Sequence, residues 1–196
     1  NLRSAIADIG TSDLLNPQKV ITSNLDSFDD IVQSFLTEEP LIDHIVFSVA
    51  GPKINNSITM TNREFTLNAD EVLQRFNLSS CHVLNDWESI GYSLSLIRSD
   101  EMTCLSQGYK FNDTALIIGP GTGLGASLVI SDDIVLPTEI GNSILSIESL
   151  RVSSALQASK NFNVIEDLIS GKGISNIYRH FSGVDKSSED ILLAYE

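Results

Sequence analysis

A glycine stands at every second position from 119 to 125, between the apolar runs Ala115–Ile118 and Ala126–Ile130. The segment reads Gly119-Pro120-Gly121-Thr122-Gly123-Leu124-Gly125. Backbone without Cβ atoms turns tightly and presents N–H groups to an anion. The residues after the glycines are as informative as the glycines themselves. A dinucleotide-binding fingerprint opens a helix, and a Walker A loop ends in Gly-Lys-Ser/Thr. This loop instead runs into Ala-Ser-Leu-Val-Ile-Ser, a β-type run closed by Asp132-Asp133. The pattern is strand, glycine turn, strand: a hairpin that serves equally to reverse the chain or to hold a phosphate.

Charge narrows the partners. Twelve basic residues against 26 acidic ones leave a net charge of −14, which argues against nucleic acid or an anionic membrane surface. A small phosphorylated ligand is still allowed, because backbone donors and a bound metal override the global sign locally. No apolar run has membrane-spanning length, and no secretory signal pattern opens the chain. Cys81 and Cys104 lack metal-ligand spacing; they fit a reduced, cytoplasmic protein in which both are buried small hydrophobes. His44, His82 and His180 are scattered without ligand spacing and read as structural or surface residues. The first residue is Asn rather than Met, so the natural start is expected upstream.

The 196 residues suffice for one large domain or two small ones. Ser4–Ile9 reads as a strand delivering Asp8 to a turn at Gly10. Asp26 or Ser27 caps a predicted helix through Leu36, with Phe28, Ile31, Val32 and Phe35 on one stripe. Ile42–Ala50 is a strongly apolar strand and Ile54–Met60 a weaker one. Asn68 caps a helix over Ala69–Phe76, with Asp70 and Glu71 in its first turn. Cys81–Leu84 is a further strand, and Asn85-Asp86 stands where it yields to a helix over Trp87–Ile97. This alternation is the grammar of an α/β domain. A composition shift at Gln107–Asp113 marks a boundary, giving a small N-terminal domain over 1–110 and the first part of a larger α+β domain over 111–196. Past the glycine hairpin come a strand at Ile134–Pro137 and predicted helices broken at Gly171 and Gly173.

Each candidate site has a plain alternative. Asn85 and Glu88 make a capping box for the following helix, which leaves Asp86 at a strand's carboxyl end, where α/β folds place chemistry. Gly171-Lys172-Gly173 is no Walker motif and reads as a helix C-cap with a cation near the carbonyl end. Glu139 fits an exposed turn, and Glu166 fits a first-turn acid favoured by a helix dipole.

Taken in order, these segments resemble the bacterial-type glucokinase family of sugar kinases. Ala7-Asp8-Ile9-Gly10 is similar to its phosphate-1 region, Ser48-Val49-Ala50-Gly51-Pro52 to its Ser-Val-Ala-Gly-Pro segment, and Thr61-Asn62 to its Thr-Asn pair. Leu84-Asn85-Asp86-Trp87 resembles its catalytic motif, Gly119–Gly125 its phosphate-2 loop and Pro137–Gly141 its Pro-x-Glu-x-Gly element. Glu166–Tyr178 resembles its Leu-x-Ser-Gly-x-Gly-Leu-x-x-Leu-Tyr element. Seven elements in register make a specific match, though no single one does.

The resemblance implies an α/β protein with the actin-like, ribonuclease H-like two-lobed sugar kinase fold, incomplete at its C-terminus because the chain stops at Glu196 inside a predicted helix over Ser188–Tyr195. It implies transfer of the ATP γ-phosphate to the 6-hydroxyl of glucose or a similar hexose, the entry to glycolysis. Asp86 would be the general base. Asn85, Glu139, Asn142 and Glu166, with Thr61 and Asn62, would hold the sugar. Asp8 and Gly10, with Gly119, Gly121, Thr122 and Gly123, would face ATP, and Asp8 would sit near Mg2+. The implied protein is cytoplasmic, binds neither nucleic acid nor membrane, and has a homodimer among its allowed assemblies. The alternatives are a catalytically silent sugar-binding homologue acting as sensor or scaffold, and a kinase for another hexose or an amino sugar.

Two departures stand out. Thr11-Ser12-Asp13-Leu14-Leu15 follows Gly10 where the family has a second glycine, an asparagine and a second strand. Either a segment between Gly10 and Thr11 is skipped, which is the expectation, or the first hairpin is degraded. Asn142 replaces the histidine of the family's Glu-Gly-Gly-His, and Ile140 replaces its first glycine, which puts sugar choice in question.

Overall fold

The computed structural model describes residues 2–11, 13–20, 28–60, 64–145 and 162–195. The chain divides into two compact units: Asn1–Asp86 with Leu96–Met102, and Trp87–Ser95 with Thr103–Glu196.

The first unit opens with an antiparallel pair, β1 (Leu2–Ile6) and β2 (Leu15–Val20). The second strand, expected to be missing, is therefore present. Pro17 and Asn16 hid it, since a proline ordinarily demotes a run from strand. The register jumps from Ser4↔Gln18 to Ile6↔Leu15, so Asn16 and Pro17 together oppose Ala5 as a bulge. Asn16 takes φ +46°, which asparagine tolerates better than most residues.

Helix α1 (Phe28–Glu38) buries Phe28 and Val32 from the predicted stripe. The residues expected to cap it, Asp26 and Ser27, lie outside the described residues. Next come β3 (His44–Val49), then the meander β4 (Lys53–Ile54), β5 (Ser57–Thr59) and β6 (Thr66–Asn68). The single strand expected over Ile54–Met60 is split by a turn at Asn55, whose φ of +55° suits asparagine. Helix α2 (Ala69–Phe76) starts as predicted: the Asn68 side chain accepts from the Asp70 and Glu71 N–H groups at 2.9 and 3.1 Å. It also ends as predicted, at Phe76, where Asn77 closes it in the left-handed conformation. Arg75 of α2 pairs with Asp29 of α1.

β7 (Ser80–Asn85) runs parallel to β3. One core joins these pieces, formed by Phe28, Val32, Ile58, Leu67, Ala69, Val72, Leu78, Cys81 and Val83. The Phe28 ring lies 5.5 Å from those of Phe47 and Phe65, tilted against both. Burial, aided by Asp70, pushes the Cys81 thiol above its ordinary range. Cys104, expected to be buried as well, is exposed.

In the second unit, helix α3 (Asp86–Ser93, its first residue counted with the first unit) contributes Trp87–Ser93. It continues as a 3-10 turn at Leu94–Leu96, near the predicted end. An antiparallel sheet in the order β10-β9-β8 comes next, from β8 (Ala115–Pro120), β9 (Leu124–Ser131) and β10 (Ile134–Thr138). Gly91 of α3 lets the helix settle onto Val135 and Ser127, whose side chains would meet any Cβ there. Helices α4 (Gly171–Ser182) and α5 (Ser188–Leu193) come last, N-capped by Ser170 and Ser187. Among the described residues no helix is long and apolar enough to cross a membrane.

Candidate active site

In the first unit, the parallel register pairs Val49 with Asn85. The carboxyl ends of β3 and β7 thus bring Ala50-Gly51-Pro52 beside Asn85-Asp86. Asn85 is buried, and its Nδ2 donates to the Gly51 carbonyl at 2.8 Å. Gly51 must be glycine, because a Cβ would strike the Thr59 carbonyl. Two sequence motifs far apart in the chain are therefore tied by one hydrogen bond. Asp86, half-buried, opens α3 directly after this anchor, and Glu88 in the same helix is buried.

Asp8 and Gly10 occupy an exposed turn after β1. The turn is tied by Thr11, whose N–H and hydroxyl both donate to the Asp8 carbonyl, at 3.1 and 3.0 Å. Gly10 takes φ +87°, with open space where a Cβ would be. Thr61 and Asn62 lie outside the described residues.

The second unit carries the glycine hairpin as predicted, with Pro120 facing Leu124 as the last pair of β8 and β9. The Gly121 N–H closes the turn onto the Gly123 carbonyl at 2.9 Å. The N–H groups of Thr122 and Gly123 donate to none of the described residues. Close approach, rather than backbone freedom, explains most of these glycines, since none has a positive φ. Gly119 and Gly125 face each other across the ladder, and the Trp87 indole occupies the space of both their Cβ positions. A Cβ on Gly123 would come within 2.9 Å of the Glu166 carboxylate. Gly121 alone has room, its nearest neighbour being the Gly123 carbonyl at 4.0 Å.

Glu166 lies beside two of these segments, the foot of the glycine hairpin and the turn at Gly141. Its Oε2 accepts from the Leu124 N–H at 3.3 Å, at the foot of the hairpin. Gly141, buried after Glu139 and Ile140, would bring a Cβ to 3.3 Å from the same oxygen. Glu139 itself is exposed and accepts from Asn142 Nδ2 at 3.2 Å. Glu166 stands in a 3-10 turn (Ile165–Asp167), not in the first turn of an α-helix.

Gly171-Lys172-Gly173 is a helix start, not the C-cap expected. Ser170 caps α4 by accepting from the Gly173 N–H at 2.9 Å, so the signal that could have revealed it is the serine just before the glycines. Gly173 also packs on the Leu168 backbone, where a Cβ would approach to 2.6 Å. The first N–H groups of α4 reach the hairpin: Gly171 donates to the Gly121 carbonyl at 2.8 Å and Lys172 to the Thr122 carbonyl at 3.4 Å.

The donor set of two N–H groups and a threonine hydroxyl fits a phosphate, with the Glu166 carboxylate beside Gly123 as an opposing charge at the hairpin. It fits Mg2+ only as a companion of that phosphate. Among the described residues no three His, Cys, Asp or Glu side chains gather to hold a metal, and Mg2+ typically takes one or two carboxylates plus substrate phosphates.

The glucokinase family model matches residues 1–195. The chain belongs to the glucokinase family. A glucokinase-like protein of Xylella fastidiosa (strain Temecula1) is 31% identical over 162 residues, covering 78% of this chain and 48% of that protein. A glucokinase of Helicobacter pylori (strain J99) is 31% identical over 173 residues, covering 81% and 51%. This glucokinase-family chain spans about half the length of the curated relatives it matches.

Solved structures establish the fold. A glucokinase from an Antarctic psychrotroph superposes with a TM-score of 0.73 at 21% identity, covering 94% of this chain and 63% of that one. A Balamuthia mandrillaris glucokinase, solved in complex with glucose, gives 0.64 at 20% identity, covering 96% and 64%. The glucokinase-family chain thus has the actin-like, ribonuclease H-like α/β fold of sugar kinases.

Proposed function

We propose that the protein carrying this chain is an ATP-dependent hexose kinase that transfers the γ-phosphate of ATP to the 6-hydroxyl of glucose. The observation that carries the reading is the Asn85–Gly51 hydrogen bond, which fixes the strand end immediately before Asp86. Phosphoryl transfer asks a protein chiefly for alignment and charge neutralisation, so a rigid mount for the base matters as much as the base. Asp86 takes the hydroxyl proton as that oxygen attacks. Asn85, Glu139, Asn142 and Glu166, with Thr61 and Asn62, grip the remaining hydroxyls, since carboxylates and amides match the paired donors and acceptors of a sugar. Gly119, Gly121, Thr122 and Gly123, with Gly10, face the phosphates. Mg2+, when bound with ATP, neutralises phosphate charge, and Asp8 is the carboxylate assigned to it. The free thiols of Cys81 and Cys104 support a cytoplasmic setting.

The test follows ADP formation with and without glucose, in the purified gene product and its Asp86→Asn variant. Glucose-dependent turnover is expected to fall by about 10²-fold or more in the variant. Sugar-dependent turnover that survives the substitution removes Asp86 from the role of base. Glucose binding without any turnover in the wild type favours the silent sensor instead, and titration across several hexoses separates a glucose kinase from one acting on an amino sugar.

A further inference from the structure

We propose that Lys172 is a phosphate-gripping residue of the nucleotide site, its ammonium group pairing with the polyphosphate of ATP at the Gly121–Gly123 tip. This rests on the kinase reading above and adds a residue that the sequence pattern had placed at a helix end. The backbone of Lys172 is stitched to the loop through its own N–H on the Thr122 carbonyl, and Gly171 does the same for Gly121. The lysine therefore starts one hydrogen bond from the tip, and its flexible four-carbon stem carries the charge over it.

Nothing strong holds that charge elsewhere among the described residues. The Lys172 side chain is 61% exposed, and its nearest carboxylate oxygen, Asp167 Oδ1, is 3.8 Å away. Asp167 is largely satisfied without it: its Oδ2 accepts from the Asn163 and Val164 N–H groups at 2.9 and 3.1 Å. The Asp167 side chain is only 12% exposed, but at 3.8 Å the pair is beyond hydrogen-bond reach. Its lysine end is solvated, so the bridge is weak and releases its lysine readily.

The loop also needs a cation. Glu166 lies against Gly123 and Leu124, so its carboxylate opposes an anion at this tip. The whole chain adds a net charge of −14. Two backbone N–H groups face that field alone unless a mobile positive group joins them. Lys172 is placed to supply it.

The experiment measures binding calorimetrically, without turnover, in the purified gene product and in Lys172→Gln and Lys172→Arg. The probes are ATP, tripolyphosphate and adenosine, and melting temperature is recorded for each protein. Lys172→Gln is expected to weaken ATP and tripolyphosphate roughly five- to tenfold, the worth of one charge-assisted contact. Adenosine affinity and melting temperature should not move, and Lys172→Arg should retain most of the ATP affinity. Unchanged ATP binding in Lys172→Gln overturns the inference, as does a parallel loss for adenosine. A lower melting temperature with ATP binding intact assigns the lysine to Asp167 alone and overturns it equally. Wild-type protein that binds neither ATP nor tripolyphosphate removes the kinase reading, and this inference with it.

Discussion

The turn after β1 and the turn between β8 and β9 both carry glycine where a phosphate is proposed to sit, but glycine is there for opposite reasons. At Gly10 the backbone demands it: φ is +87°, and the surrounding space is empty. The turn is exposed throughout its described residues and is tied by one threonine to one carbonyl. Between β8 and β9 no glycine has a positive φ. There the neighbours demand it, with Trp87 filling the Cβ space of Gly119 and Gly125 and Glu166 crowding Gly123. The first turn is shaped by its own torsion angles, the second by the side chains that pack on it. A glycine motif in a sequence does not distinguish the two.

The difference is open to a direct break. Gly125→Ala should destabilise the protein by about 3 kcal/mol, because the indole must leave its seat on the sheet, an overpacking penalty at the upper end of the usual range. Trp87→Ala alone should cost a similar amount, about 3 kcal/mol, as a cavity. If packing is the reason for the glycine, Gly125→Ala in the Trp87→Ala background should cost under about 1 kcal/mol, a coupling that denaturant melts of all four proteins would read. Additive costs would mean that Gly125 is glycine for its backbone after all. Next in size is Gly10→Ala, expected to cost about 1–2 kcal/mol from left-handed strain. Gly10→Asn should recover part of that loss, and Trp87→Ala should leave it unchanged. Rescue of Gly10→Ala by Trp87→Ala would erase the contrast.

Legibility in the sequence divided along the same line. Features set by local chemistry could be read: the Asn68 cap of α2, the strand-turn-strand around Gly119–Gly125, and the position of Asn85-Asp86 at a strand end. Features set by distant partners could not. β2 was hidden because Pro17 is tolerated only as part of a bulge opposite Ala5, which no local pattern announces. The start of α4 looked like an end because Gly171 and Gly173, which make room for Ser188, the Gly121 carbonyl and the Leu168 backbone, outweighed the one local cue, the capping Ser170. Glu166 had two readings, sugar ligand by resemblance and helix-dipole acid by pattern. Neither anticipated that its carboxylate would meet the Leu124 N–H forty-two residues away in the chain. Thr59 against Gly51 is the same lesson at the first unit's candidate site.

The smallest stability effect is the sharpest probe of purpose. Gly121→Ala meets no clash, its nearest neighbour being the Gly123 carbonyl at 4.0 Å, and no positive φ strains an added side chain. Its cost to folding should stay within about 0.5 kcal/mol, so denaturant midpoints of variant and wild type should nearly coincide. Neither backbone torsion nor packing requires glycine here, unlike Gly10 and Gly125. The remaining reason is the approach of a ligand: a methyl group at the tip would keep a phosphate from the Thr122 and Gly123 N–H groups. ATP affinity should then fall while stability holds, and binding measured beside the melts separates the two. Equal ATP affinity in Gly121→Ala would leave this glycine with no role in fold or in binding, and would move the proposed phosphate contact away from the hairpin tip.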